Sequence, residues 1–323
     1  MTKRFFVSMA VVLLVSLTAS AISINKAMLQ HEDQVTLFDG DKIQDAVDAA
    51  VDGDVIYLTL GTFKPFNVTK KITIRGTGET SVIDGDVNIS IPGSAKFTSP
   101  VLEALAVSGT VNVGTQVDDL IIRKCKITNF TIGAQVDGAV LDRCYITSKL
   151  TLSSYIKGMT VVNTKLYAVK ANSGATQNTT FVNCNIFNIY APSFSGTIIN
   201  SIIYCSGNNN GTSGYNESKI SSTVLLNTLY TPYSTYSTSS VLQNCYNLSS
   251  NYGDLLSATC DCKYDTSYLQ SKSYLGTDGT VVGIYGGDTP YTLEPSVPKV
   301  TSSDLQLDME QKKLNVTLTV SPQ

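Results

Sequence analysis

Asp118, Asp119, Asp137 and Lys157 are the residues best suited by type and spacing to do chemistry. Asp137 follows Asp118 by 19 residues and Lys157 follows Asp137 by 20. If that interval is a structural repeat, all three stack in one column with Lys124 and Arg143 nearby. A base set beside cations that stabilise developing negative charge is what proton abstraction requires. The alternative is that Asp118-Asp119-Leu120 and Asp137-Gly138-Ala139 open turns, as Asp does by bonding the backbone ahead of it, while Lys157 neutralises them. Aromatic residues offer binding instead of reaction. There is no Trp, but 13 of the 17 Tyr lie from Tyr190 onward, among them Tyr230, Tyr233 and Tyr236. Tyrosines beside Asn and Ser suit stacking on a neutral glycan and bonding its hydroxyls; the competing reading is that they fill turns and cover a flank.

Other chemistry is thinly supplied. The sole histidine, His31, reads as a solvated residue near the start of the folded part. Cys260-Asp261-Cys262 has two thiols one residue apart with no further Cys or His close by, a poor metal set. Buried or disulfide-linked Cys fits better, with Cys245 or Cys205 as partner. No Gly-rich phosphate loop and no Ser/His/Asp arrangement stands out.

Residues 1–21 have the form of a secretory signal: Lys3 and Arg4, an apolar run from Phe5 to Leu17, then Ala19-Ser20-Ala21. The run is short for a membrane span, so an exported product without a transmembrane segment is expected. Removing this leader takes away two of the 23 basic residues and leaves 21 against 26 acidic, a formal charge of −5. That balance argues against nucleic acid and anionic membranes as partners.

The elements that must position these residues come from a repeat. Apolar triplets recur at LIIRKCKI, AVLDRCYI, TVVNTKL, TFVNCNI, TIINSII, TVLLNTLY and SVLQNCYNL, and each is followed by a small residue: Cys125, Cys144, Thr164, Cys184, Ser201, Thr228 and Cys245. The steps are 19, 20, 20, 17, 27 and 17 residues. A period near 20 built on strand-like triplets marks a solenoid of short parallel strands, in which equivalent residues stack about 4.8 Å apart. The small residues then form an inward ladder, with Cys125, Cys144 and Cys184 buried and unpaired. Ahead of them run Asn163, Asn183, Asn200, Asn227 and Asn244, expected to bridge successive coils through their amides; Lys124 and Arg143 hold the same position in two earlier coils. Ile43, Ala46, Val47 and Ala50 share one helical face and predict a lid over the open end of the solenoid, with Asp39 and Asp41 as candidate caps.

The stretch IQDAVDAAVDGDVIYLTLGTF, followed by FNVTKKITIRGTG and SVIDG, resembles the opening of the pectate-lyase-like right-handed parallel β-helix superfamily. The resemblance covers 43–85 closely, and the period carries it to about 250. It implies an all-β right-handed parallel β-helix with an N-terminal capping helix, a fold shared by lyases, hydrolases, binding proteins and adhesins. Lyases of the superfamily hold calcium with clustered carboxylates and use Arg or Lys as base, which would point to Asp118, Asp137 and Lys157. A calcium site, however, wants more convergent oxygens than this column supplies. The hydrolase pattern of Asn-x-Asp, Asp-Asp, Gly-His-Gly and Arg-x-Lys is matched only at Asp118-Asp119.

The expected organisation is a leader at 1–21, the β-helix at 36–285, a Pro-rich linker at 286–299 and a β-hairpin at 300–323. Residues 205–222 read as a loop inserted in one coil. The expected function is exported, non-catalytic binding of a neutral polysaccharide or cell-surface glycan, needing no cofactor. A uronate lyase, with calcium, is one alternative. An adhesin-like assembly subunit joined to itself or a partner through 300–323 is the other.

Overall fold

The structure is a computed structural model that describes residues 25–91, 100–203 and 218–247, with breaks at 116, 154, 172–175, 192–193, 221–222, 231–233 and 237–240. It also describes 266–321, with breaks at 272, 296–298 and 309–312. The expected leader at 1–21, Tyr233, Cys205, Cys260 and Cys262 lie outside the described residues.

The chain forms a parallel β-solenoid. Ile121–Arg123, Ala139–Asp142, Met159–Val162, Thr176–Val182, Phe194–Ile199, Val224–Leu226 and Val241–Gln243 stack in register in a first sheet. Each turns a corner into a strand of a second sheet, such as Lys126–Ile132, Tyr145–Leu152, Lys165–Ala171 and Asn185–Ala191. Register shifts between Ile127 and Asn129 and between Ile146 and Leu150 bend these longer strands, giving the coil a third side. The inward rows are apolar at every coil, for example Ile122, Leu141, Val161, Phe181, Ile198 and Leu225, all buried. Closing each turn on the next leaves strand groups paired above and below, which is why a period of about 20 residues suffices.

The N-terminal end is closed by two devices. The helix Ile43–Ala49 buries Ile43, Ala46 and Val47 against the first coils, as its periodicity predicts, each worth about 1.5–3 kcal/mol for the larger side chains. Its caps differ from expectation. Neither Asp39 nor Asp41 bonds the helix start with its side chain; the chain enters through a 3-10 turn at Gly40–Lys42, and the Asp39 carboxylate pairs with Lys26. At the other end the Lys70 ammonium donates to the carbonyls of Val47, Asp48 and Ala50, satisfying groups that the helix leaves unpaired where its dipole is negative. The second device is a hairpin, Lys26–His31 with Gln34–Asp39, which extends the first sheet antiparallel to Val55–Leu58.

Residues 273–295 run along the side of the coils. Gly283 donates to the Asn200 carbonyl, Val281 and Val282 pack with Ile202, Leu229 and Leu269, and Pro295 reaches Gly78. The portion from 286, expected as a linker, is thus seated on the solenoid as a strap through Gly286, Tyr291 and Pro295. Lys299–Asp308 and Lys313–Ser321 form a separate antiparallel hairpin in which Leu305 pairs with Val316 and Leu307 with Leu314.

Candidate functional site

The column of Asp118, Asp137 and Lys157 is brought together by the repeat, and its groups serve turns. The Asp118 carboxylate accepts from the Asp137 backbone N–H one coil on, at 3.0 Å. Asp119 adopts φ 54°, and its own N–H donates to the Asp137 carbonyl at 2.7 Å. Gly138 follows because a Cβ there would stand 2.2 Å from the Asp119 carboxylate. The Asn178 amide continues the pattern by donating to the Lys157 carbonyl at 3.0 Å. Asp137 and Lys157 are exposed. Among the described residues no ion pair joins Lys157 to these carboxylates, and no three His, Cys, Asp or Glu side chains converge on a metal position.

A different set of charges is assembled at the corner between the two sheets. Register alone stacks Arg75, Glu103, Arg123 and Asp142 on consecutive coils at the last position of each first-sheet strand. Arg75 Nε lies 2.7 Å from Glu103 Oε2, and Arg123 Nε lies 2.9 Å from Asp142 Oδ2. Arg143 adds Nε and Nη2 bonds to the two Asp142 oxygens at 2.8 and 2.7 Å. The Tyr57 ring sits 5.8 Å from the Arg75 guanidinium. Arg75, Arg123 and Arg143, with Lys124, meet here around two buried carboxylates. Burial, and then the neighbouring Arg143, holds the Lys124 ammonium pKa below its usual value. Sequence reasoning reached Lys124 and Arg143 and missed Arg75, Glu103 and Asp142. The signal available was the residue just before each corner, where opposite charges alternate: TIR, LE, IIR and VLD.

The corner itself has one conformation throughout. Ala104, Lys124, Arg143, Asn163, Asn183, Asn200, Asn227 and Asn244 all have φ between 44° and 54°. Asn is among the residues that accept this left-handed state at least cost, which explains the column. The expectation that its amides bridge successive coils is corrected, because the backbone satisfies the corner unaided. The N–H of Lys124, Arg143, Asn163, Asn183 and Asn200 donates to Asp142, Val162, Val182, Ile199 and Leu226, the strand ends of the following coil. Freed from that task, Asn163 Nδ2 donates to the strap carbonyls of Ile284 and Gly286 at 3.1 and 2.8 Å. Asn200 exchanges two bonds with Thr277, and Asn185 Oδ1 accepts from the Ile284 N–H. Side-chain amides do bridge coils elsewhere, along Asn67, Asn88 and Asn112 at 2.8 and 3.0 Å.

The small-residue ladder is as expected. Cys125, Cys144 and Cys184 are free and buried; each thiol donates to the carbonyl two residues back, as the hydroxyls of Thr164, Ser201 and Thr228 do in their coils. Burial pushes the Cys144 and Cys184 thiols to about 12 and raises Cys125 well above its usual value. They are inert packing groups.

Of the tyrosines singled out, Tyr230 pairs with Ile203 in the row that Ile127, Ile146, Leu166 and Ile186 fill in earlier coils, and it packs against the core. Tyr236 is in register with Ile220 and Ala191, the row of strand ends occupied earlier by Ile132, Leu152 and Ala171. The aromatic surface stands instead on the outer side of the second sheet. Tyr167, 40% exposed, stacks on Phe187 with centroids 5.2 Å apart and planes 16° from parallel, and Lys165 Nζ lies 4.5 Å from the Tyr145 centroid.

No protein family, curated protein or solved structure matches the chain. No helix among the described residues is long and apolar enough to cross a membrane.

Proposed function

We propose that this chain is an exported, non-catalytic member of the pectate-lyase-like right-handed β-helix superfamily that holds a carbohydrate across its coils. The observation that carries the reading is a pair of neighbouring outward rows, Tyr145 with Lys165 and Tyr167 with Phe187. A rung spacing of about 4.8 Å lets such rows track a sugar chain lying along the solenoid, with ring surfaces for the apolar sugar faces and lysine for hydroxyls. Two further facts support a binder over a uronate lyase. Asp118 is engaged with the backbone of the next turn, and Lys157 stands exposed without a carboxylate partner among the described residues. The test is a glycan array read beside an assay for unsaturated uronate release. Retention of a neutral glycan, weakened by ~1 kcal/mol per ring in Tyr167→Ala and Phe187→Ala, is the expected result. Uronate release by the wild type, abolished in Asp137→Ala and Lys157→Ala, would replace this reading with the lyase.

A further inference from the structure

We propose that the corner formed by Arg123, Lys124 and Arg143 is a binding site for a tetrahedral oxyanion of two negative charges, inorganic phosphate or a phosphate monoester. Four cations, Arg75, Arg123, Lys124 and Arg143, surround two carboxylates, Glu103 and Asp142, which leaves an excess of two positive charges. Neighbouring Glu79 does not reduce that excess, because Lys126 pairs with it at 2.6 Å. The remaining ionisable neighbour, Tyr291, is kept neutral by burial and by Glu79. Such a concentration of cations stands out in a chain that is acidic overall.

The donors are also arranged to be used. Arg75 and Arg123 each spend only Nε on a carboxylate, and their Nη groups donate to nothing else among the described residues. Both side chains are about one-third exposed, so those forks face solvent. Lys124 is only 6% exposed, yet its ammonium makes no hydrogen bond and no ion pair with a described residue. An oxyanion seated among Lys124 and the guanidinium forks would give that ammonium a charge-assisted partner. Planar guanidinium groups with a point-charge ammonium are the donor chemistry that phosphate recognition uses.

The repeat provides a variant that removes charge without breaking the corner. Asn holds the same position with the same left-handed backbone in five later coils, so Lys124→Asn replaces the cation by the residue this turn already uses. Isothermal titration of the full mature chain with inorganic phosphate, at fixed ionic strength and neutral pH, is the test. The wild type is expected to bind and Lys124→Asn to bind ~10-fold more weakly, the scale of one charge-assisted hydrogen bond, with unchanged circular dichroism. Wild-type affinity should fall at about pH 5, where phosphate keeps a single negative charge. Glucose 1-phosphate binding more tightly than inorganic phosphate would identify an ester as the ligand; equal affinity would identify the free ion. Absence of phosphate binding, equal binding by Lys124→Asn, or an equal response to chloride at matched ionic strength would each overturn the proposal.

Discussion

The corner between the two sheets is built twice with one backbone and two chemistries. In the coils at 103–143 it carries Glu103, Arg123, Lys124, Asp142 and Arg143; in the coils at 163–200 the left-handed position carries Asn163, Asn183 and Asn200. The φ values and the hydrogen bond from each corner N–H to the next coil are the same in both. Backbone geometry therefore does not choose the side chain; what lies over the corner does. Where the strap presents bare carbonyls and N–H groups at Gly276–Gly286, the corner offers amides, which both donate and accept. In the other coils the corner side chains pair with one another across successive turns as Arg–carboxylate contacts.

The sharpest way to break that difference is to remove an amide from the strapped half. Asn163→Ala deletes two bonds to buried carbonyls of the strap and places Cβ-bearing Ala in the left-handed state without a compensating contact. A loss of about 3 kcal/mol is expected from the two terms together. Chemical denaturation should show it, and hydrogen exchange at 280–290 should rise well before global unfolding. Unchanged exchange there would mean that the strap is held by its apolar contacts alone.

In the charged half the matching change is Glu103→Gln. It keeps shape but removes one of two carboxylates that balance four cations, leaving Arg75 without its ion partner. Because Arg75 is partly exposed and can rehydrate, about 1–2 kcal/mol of destabilisation is expected. High salt should shrink the difference from wild type by screening the remaining repulsion. A salt-independent loss would point to packing.

Both halves share the inward ladder, and it predicts a smaller effect. Cys184→Ser places in its coil the group that Ser201 and Thr228 already carry, with the Val161 and Val182 carbonyls in reach to accept its hydrogen bond. Stability should change by less than about 1 kcal/mol. Native-state alkylation at alkaline pH should leave Cys125, Cys144 and Cys184 unlabelled, and full unfolding without reductant should expose all three.

These contrasts also mark what was legible beforehand. The triplets, the small-residue ladder and the face of Ile43, Ala46 and Val47 were readable, because burial in a repeated coil imposes a period that residue types must obey. The strap was not. Its prolines and glycines resemble any linker, and its fit depends on Asn163 and Ile284, separated by 121 residues. The N-terminal hairpin was missed for a local reason: its turn is Glu32-Asp33, with Glu32 at φ 52°, instead of a Gly or Asn pair. The alternation of Arg75, Glu103, Arg123 and Asp142 stands in the sequence at the ends of TIR, LE, IIR and VLD, but the interval between Arg75 and Glu103 departs from the period of 20 and hides that the four stack.

The smallest effect concerns His31, expected as a solvated residue and found at the end of the hairpin strand, with Nδ1 2.8 Å from the buried carboxylate of Asp54. That carboxylate also accepts from the Val51 N–H, so the pair ties the added hairpin to the loop behind the lid helix. The hydrogen bond to Asp54, and then its charge, raise the His31 pKa above 6.5. A histidine with a raised folded pKa adds stability that is full below the unfolded value and disappears as pH rises through the folded one. Melting temperature should therefore drop slightly across that window above pH 6.5 in the wild type. His31→Gln, which has no proton to lose, should lack the step. Because the histidine is exposed, salt should flatten it as well. A wild-type drop that survives in His31→Gln would assign the transition to another group and leave the hairpin held by its strand pairing to Val55–Leu58.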